Sequence, residues 1–209
     1  LNLLIDTLTA RDTVSVVTYA GETSLRLRPT RGDQKPRIRS AVNSLGAGGG
    51  TNGSSGILMA YEQARIHFNE NGVNRVILCT DGDFNVGLTS ESDLVDLIEK
   101  ERASGVFLSV LGFGRGNLND AGMEKLADHG NGNYAYIDSL SEARKVLVEQ
   151  MSGTLVTIAK DVKIQVEFNP GRVAEYRLIG YENRLLRRED FNNDQVDAGE
   201  IGAGHNVTA

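Results

Sequence analysis

Tryptophan is missing from this chain, cysteine occurs once and proline three times in 209 residues. The single Cys79 excludes a disulfide scaffold. None is needed, because a domain of this size buries roughly 70% of the surface that its unfolded chain exposes. No apolar run approaches the roughly 20 residues of a membrane span, so no part of this chain is expected to cross a bilayer. Positive charge is also scarce: 22 basic against 28 acidic residues leave a net charge of -6. That balance sets up no field for a polyanion and excludes nucleic acid as the default partner. What is plentiful is glycine, 24 residues, in a chain that is 40% hydrophobic and 24% charged. This is the composition of a globular protein with one large domain, or a domain plus a smaller module.

The opening segment carries Leu3, Leu4, Ile5 and Leu8 and stops at Ala10, Arg11 and Asp12. It reads as the last turns of an amphipathic helix without a cap, and predicts a fragment that begins inside that helix. His205 to Ala209 alternates like a strand and breaks off without a turn, so both ends look cut. Thr13 to Ala20 is β-branched, and Ser24 to Leu27 follows after a short turn, which makes the two strands antiparallel. A helix with Pro36 in its first turn and Ile38, Val42 and Leu45 on one face stops at Gly46. Another helix carries Ile57, Tyr61, Ala64 and Phe68. Arg75 to Thr80 reads as a strand buried on both faces.

The alternation then repeats. A helix over Leu94, Leu97 and Ile98 precedes a strand from Val106 to Leu111, and a helix over Met123, Leu126 and Ala127 precedes a strand over Tyr134 to Ile137. A long helix is expected from Ser139 to Met151. Strands alternating with helices imply an α/β fold: a doubly wound, mostly parallel sheet with helices on both faces and one antiparallel edge strand. After Asp161 the helical period disappears. Val162 to Phe168 alternates strictly and Glu175 to Tyr181 is a second strand candidate, so an incomplete antiparallel β segment follows. The expected organisation is a domain over 1–160 and a partial β module over 161–209.

Open parallel sheets bind ligands at the carboxyl ends of their strands. Two polar clusters sit at such positions: the glycine-rich loop Gly46 to Gly56, with Thr51, Asn52 and Ser54 before a helix, and Thr80, Asp81, Gly82 and Asp83 after the buried strand. A hydroxyl and carboxylates joined by backbone oxygens and water suit magnesium, manganese or calcium, whereas softer metals would need Cys or His.

A loop of three glycines followed by Thr51 and Asn52, and an apolar strand ending in Thr80, Asp81, Gly82 and Asp83, resemble the second and third parts of the metal-ion-dependent adhesion site of von Willebrand factor type A domains. Val14 to Gly21 and Leu111 to Gly114 are similar to the same family, and the resemblance covers residues 1 to 155. Ala174 to Asn183 looks like bacterial cell-envelope proteins in which this domain precedes a further conserved region. The resemblance implies Thr51 as a metal ligand and Asp81 as a ligand acting through water, with Asn52, Gly82 and Asp83 supporting them. It implies a divalent cation (Mg, Mn or Ca) in the intact protein, capture of a carboxylate of an unidentified protein partner, no catalysis, and an extracytoplasmic or cell-envelope location. The family's first motif, Asp-x-Ser-x-Ser, is absent from this sequence, and with it the first strand of the sheet. Metal binding by this fragment is therefore expected to be weak or absent. The place of the missing strand, between Val14 to Tyr19 and Val76 to Cys79, is expected to be filled by another segment or chain, or closed by direct pairing of its flanks. Open strand edges predict a homodimer formed by strand exchange.

Plainer readings compete. Thr51, Asn52 and Ser54 would serve as helix caps. Asp81 and Gly82 alone make a turn. The triple glycine lacks the Lys of a phosphate loop, and Gly112, Gly114 and Gly116 lack the third glycine of a dinucleotide fingerprint, where Asn117 stands. Asp190, Asn192 and Asp194 begin like a calcium loop, but Gln195 and Ile201 occupy its required glycine and glutamate positions, so a polar turn is expected. His67, His129 and His205 lack ligand spacing, and Cys79 reads as a small buried hydrophobe. Arg184, Arg187 and Arg188 read as a solvated face. The alternative function is a Mg-dependent hydrolase or phosphotransfer domain with Asp81 and Asp83 as metal ligands, but no nucleophile, paired His or phosphate-clamping Lys accompanies either loop.

Overall fold

The computed structural model describes residues 1–46, 53–80, 91–114, 119–150, 157–179, 185–193 and 199–202. The chain divides into two compact units, Leu1–Ser152 and Gly153–Ala209.

The first unit opens with helix α1 (Asn2–Thr7) and an antiparallel pair, β1 (Thr13–Thr18) and β2 (Ser24–Arg31). Thr18 faces Ser24 and Thr13 faces Arg31, with irregular register around Val16. Gly21, at φ 78°, supplies the left-handed residue of the turn between them. β2 runs on to Arg31, past the expected end at Leu27. Helix α2 (Lys35–Asn43) has Pro36 in its first turn, where the missing N–H costs no helical bond. Its Ile38 packs with Ile5 and Leu27 in a small core flanked by Leu8, Val14, Val16, Ala41 and Val42.

Helix α3 (Gly53–Ile66) leads to β3 (Asn74–Thr80), α4 (Glu91–Ala103), β4 (Val106–Phe113), α5 (Asp120–His129) and β5 (Tyr134–Ile137). The three strands form a parallel sheet in the order β3-β4-β5, with Val76 opposite Leu108 and Gly112 opposite Tyr136. The fold is α/β. β4 is the middle strand and is buried from Val106 to Gly112, which explains its unbroken apolar run. The main core joins Ile57 and Tyr61 of α3, Val76 and Leu78 of β3, Leu94 and Ile98 of α4, Leu108 and Val110 of β4, and Met123 and Leu126 of α5.

Two expectations for this unit need correction. β3 is not buried on both faces: Val76, Leu78 and Thr80 are buried, whereas Arg75, Ile77 and Cys79 are half-buried. The stripe expected to reach Phe68 ends with α3 at Ile66. The Phe68 ring instead lies against Gly105, where an added Cβ would come 3.2 Å from its Cζ. The long helix after Ser139 is present as α6 (Leu140–Arg144) continued by a π-helical stretch, Lys145–Gln150, with the Ser139 hydroxyl accepting from the Glu142 N–H.

In the second unit β6 (Thr157–Val162) pairs with β7 (Gly199–Gly202), Val162 facing Gly199. The predicted strand Val162 to Phe168 thus contributes only its first residue to a ladder, and residues 175–179 lie in no strand. The alternation is present but strand structure also requires a neighbour, and among the described residues none pairs with either segment. Asn169 closes the turn between them, its side chain accepting from Gly171 N–H and its carbonyl from Arg172 and Val173. Asp190 to Asn193 forms a turn closed by the Asn193 N–H to the Asp190 carbonyl.

Among the described glycines the closest backbone approach is at Gly132, between α5 and β5. Leu108 donates to the Gly130 carbonyl and Val110 to that of Asn133, and a Cβ on Gly132 would stand 1.7 Å from the Leu108 carbonyl oxygen. Backbone cannot yield as a side-chain tip can. Gly132→Ala is therefore expected to destabilise the chain by about 3 kcal/mol or more in urea unfolding. Gly46→Ala, where no described residue lies within 4 Å of the new carbon, is expected to change stability by less than about 0.5 kcal/mol.

Candidate metal and partner-binding site

Three element ends meet at one end of the first unit. The Tyr19 hydroxyl, one residue past β1, donates to the carbonyl of Cys79 near the end of β3, at 2.5 Å. The first turns of α3 rest on the same side chain: an added Cβ on Gly56 would come 2.5 Å from the Tyr19 Cβ. The residues here are polar yet buried, with Ser54 in the first turn of α3 and Thr80 as the last residue of β3. Thr80 lies beside Gly112 of β4, so this is also the carboxyl end of the parallel sheet.

This end continues in sequence into the candidate ligands, since Gly53 directly follows Thr51 and Asn52, and Thr80 directly precedes Asp81, Gly82 and Asp83. Thr51, Asn52, Asp81, Gly82 and Asp83 themselves lie outside the described residues. Among the described residues no group of three or more His, Cys, Asp and Glu side chains is arranged to hold a metal. His129 instead meets Glu99 of α4 at 2.7 Å, and Arg187 lies 3.8 Å from Glu189 on an exposed face. Gly114, at φ 120°, has its carbonyl capped by the Tyr136 hydroxyl, while Gly116, Asn117, Arg184, Asp194, Gln195 and His205 are outside the described residues.

No backbone ladder joins β1 to β3 among the described residues, so direct pairing across the expected strand position is not what connects them. The connection runs through Tyr19 and α3. The part played by Tyr19 was hidden in the sequence, where it appears only as an aromatic ending a β-branched run. Cys79 is half-buried, yet burial of its thiol pushes the pKa up to about 11, with the amino terminus pulling weakly the other way.

Residues 1–151 match the von Willebrand factor type A domain family. This chain belongs to that family. Residues 153–209 match a second family, described as uncharacterized protein YfbK, C-terminal. Over 208 residues the chain is 52% identical to the Escherichia coli (strain K12) protein named uncharacterized protein YfbK, covering 100% of this chain and 36% of that protein. The chain thus spans little more than a third of this relative. Similar solved structures include a BatB protein from Bacteroides thetaiotaomicron (21% identity, TM-score 0.60, 72% of this chain and 82% of that chain). Proximal thread matrix protein 1 from the mussel byssus, with a zinc-occupied MIDAS motif, is similar at 21% identity and TM-score 0.56, covering 72% of this chain and 40% of that chain. At these identities the likeness establishes the fold. Membership of the von Willebrand factor type A family makes the first unit, in general terms, a metal-dependent protein-interaction module.

Tyr19→Phe keeps the ring and removes the hydroxyl that donates to Cys79, so the variant is expected to lose about 1 kcal/mol or more in thermal or urea unfolding. The raised thiol pKa predicts slow Cys79 alkylation at neutral pH until the chain unfolds. The protonated thiol favours the folded state below its ordinary value of 9.0, and this contribution is lost as pH rises towards about 11. Thiol labelling and unfolding midpoints across that window check both statements.

Proposed function

We propose that this chain carries the binding surface of a non-catalytic adhesion-type module, in which a divalent cation at Thr51 and Asp81 captures a carboxylate of a partner protein. The observation that best supports the reading is the convergence of β1, β3 and the start of α3 through Tyr19, because Thr51 and Asp81 adjoin these anchored ends in sequence. The donor set suits a hard cation: a threonine hydroxyl and an aspartate carboxylate are oxygen ligands of the kind magnesium, manganese and calcium take, with no imidazole nearby in sequence and the one neighbouring sulfur, Cys79, within β3. In this reading Thr51 binds the ion directly, Asp81 orients a bound water, and Asn52, Gly82 and Asp83 hold those groups in place. With a single neutral hydroxyl and one water-linked carboxylate, and magnesium slow to shed its own water, affinity in these 209 residues is low. An extracytoplasmic or cell-envelope location accompanies the proposal, on the likeness of residues 174–183 to bacterial envelope proteins.

Calorimetric titration with magnesium or manganese is expected to give a dissociation constant weaker than micromolar, with the heat removed by Asp81→Asn. A peptide carrying an accessible Asp or Glu is expected to bind only when the ion is present, and its Asn or Gln counterpart not at all. Micromolar ion binding that survives Asp81→Asn, or equal binding of acid and amide peptides, would overturn the reading. Phosphate-ester turnover abolished by Asp83→Asn would favour the hydrolase alternative.

A further inference from the structure

The register of β2 keeps every arginine of that strand in solvent. From Leu25 it reads Leu, Arg26, Leu27, Arg28, Pro29, Thr30, Arg31. Its buried residues are Leu27 and Thr30, which face Val16 and Val14 of β1. Side chains alternate along a strand, so regular pairing from a buried Leu27 would turn Arg31 inward as well. It does not, because between those two pairs β1 has one residue, Ser15, and β2 has two, Arg28 and Pro29. The bulge brings Thr30 inward in place of Arg31, and it is one of the few strand positions that accept a proline. A second extra residue, Arg26, lies between the pairs Leu25 with Val17 and Leu27 with Val16. Arg26, Arg28 and Arg31 are all exposed in consequence.

Positive charge gathers around them. Ser24 to Arg39 holds six basic residues and one acidic, Asp33, in a chain of net charge -6. Two of the six are engaged within the unit: Lys35 donates to the Asp6 carbonyl at 2.6 Å, and Arg39 pairs with the Asp6 carboxylate. The other four, Arg26, Arg28, Arg31 and Arg37, are exposed. Among the described residues the guanidinium groups of Arg26, Arg28 and Arg37 meet no hydrogen-bond or ion-pair partner, and Arg31 meets Asp33 at 3.0 Å in an exposed pair. A pair of that kind contributes little and exchanges readily. Asp33 and Arg37 line one groove of 410 Å³ at the start of α2, together with Gln34 and Pro36, so the strip on β2 continues through Arg31 into this groove.

Exposed guanidinium groups without a matching set of carboxylates attract anions, and each can hold a carboxylate or a phosphate through two parallel N–H bonds. The surroundings select among anions. No aromatic residue on which a base could stack occurs from Ser24 to Arg39, and a net charge of -6 opposes a polynucleotide. Docking on a membrane would call for apolar side chains beside the charges, whereas the large exposed apolar residues among those described are Leu1 and then none before Leu58. A short acidic segment of protein engages the local strip alone, and its dimensions agree. Arg26 and Arg28 stand about 7 Å apart along β2, the spacing of alternate side chains in any extended chain.

We propose that Arg26, Arg28, Arg31 and Arg37 form a docking surface for an extended acidic segment of a partner protein, with carboxylates at alternate residues meeting successive guanidinium groups. The surface needs no metal ion and is independent of the site proposed at Thr51 and Asp81. The test is fluorescence anisotropy of a labelled peptide of alternating Glu and Thr, with EDTA present so that the outcome does not depend on divalent ions. Binding is expected at low ionic strength and weakens as salt is added, and the Gln and Thr counterpart is expected not to bind. Arg26→Glu with Arg28→Glu is expected to weaken binding about tenfold or more. Lys100→Glu with Arg177→Glu, the same change of net charge at exposed positions elsewhere, is expected to leave it within about twofold. Circular dichroism checks that each variant keeps its fold, and Arg26→Gln with Arg28→Gln, which adds no negative charge, is expected to shift binding in the same direction by less. Absence of binding by the unaltered chain, or equal losses in the two charge-reversed variants, overturns the proposal. Tighter binding of duplex DNA or of phosphatidylserine vesicles than of the acidic peptide overturns it as well.

Discussion

One tyrosine side chain, Tyr19, helps to tie together the two halves of the first unit. Its two sheets share no ladder among the described residues, so nothing in the regular hydrogen bonding relates β1 and β2 to β3, β4 and β5. Tyr19 supplies the relation twice, by donating to the Cys79 carbonyl and by seating the first turns of α3 through the side-chain-free surface of Gly56. A hydrogen bond of this kind contributes only about 1 kcal/mol net. Its importance is geometric: it fixes three element ends against one another at the edge where an open parallel sheet presents ligand groups.

The parallel sheet supplies the rigid reference for that edge. β4 is covered on both sides and donates from Leu108 and Val110 to the chain entering β5, with Gly132 pressed against the Leu108 carbonyl. Because the approach is backbone on backbone, α5 and β5 cannot shift relative to β4 without breaking bonds. The carboxyl ends of β3 and β4 are held correspondingly firmly.

Most of this architecture was legible because burial imposes period. The apolar runs of Arg75 to Thr80 and Val106 to Leu111, and the helical stripes of Leu94, Ile98, Met123 and Leu126, each correspond to an observed element. Legibility failed where the outcome depends on a neighbour. Val162 to Phe168 has ideal strand alternation, yet among the described residues only Val162 joins a ladder, and alternation cannot report whether a second strand is there. Phe68 kept the helical spacing of Ile57, Tyr61 and Ala64, but α3 ends first and the ring covers Gly105 instead. The candidate ligands Thr51 and Asp81 were legible through resemblance alone, since a hydroxyl beside glycines and an aspartate before glycine are equally at home in a cap or a turn. Glu101 was missed, although it stands seven residues after Leu94 and three after Ile98, a charge placed on an apolar stripe.

That glutamate gives α3 a rotational lock. Glu101 of α4 is buried, with one carboxylate oxygen paired to Arg65 of α3 and the other, like the Tyr61 hydroxyl, without a hydrogen-bond partner among the described residues. Burial, reinforced by the Glu101 carboxylate, raises the Tyr61 phenol above its ordinary range, so Tyr61 stays neutral. Tyr61 and Arg65 are one helical turn apart and therefore flank the carboxylate from the same side of α3. Turning α3 about its axis would carry the guanidinium away and leave the buried Glu101 side chain without its partner, an outcome costlier than the loss of any one apolar contact. The far end of the helix thereby shares with the Tyr19–Gly56 contact in setting the azimuth of its first turn, so that the direction in which Gly53 and Ser54 face also depends on Arg65, three turns away.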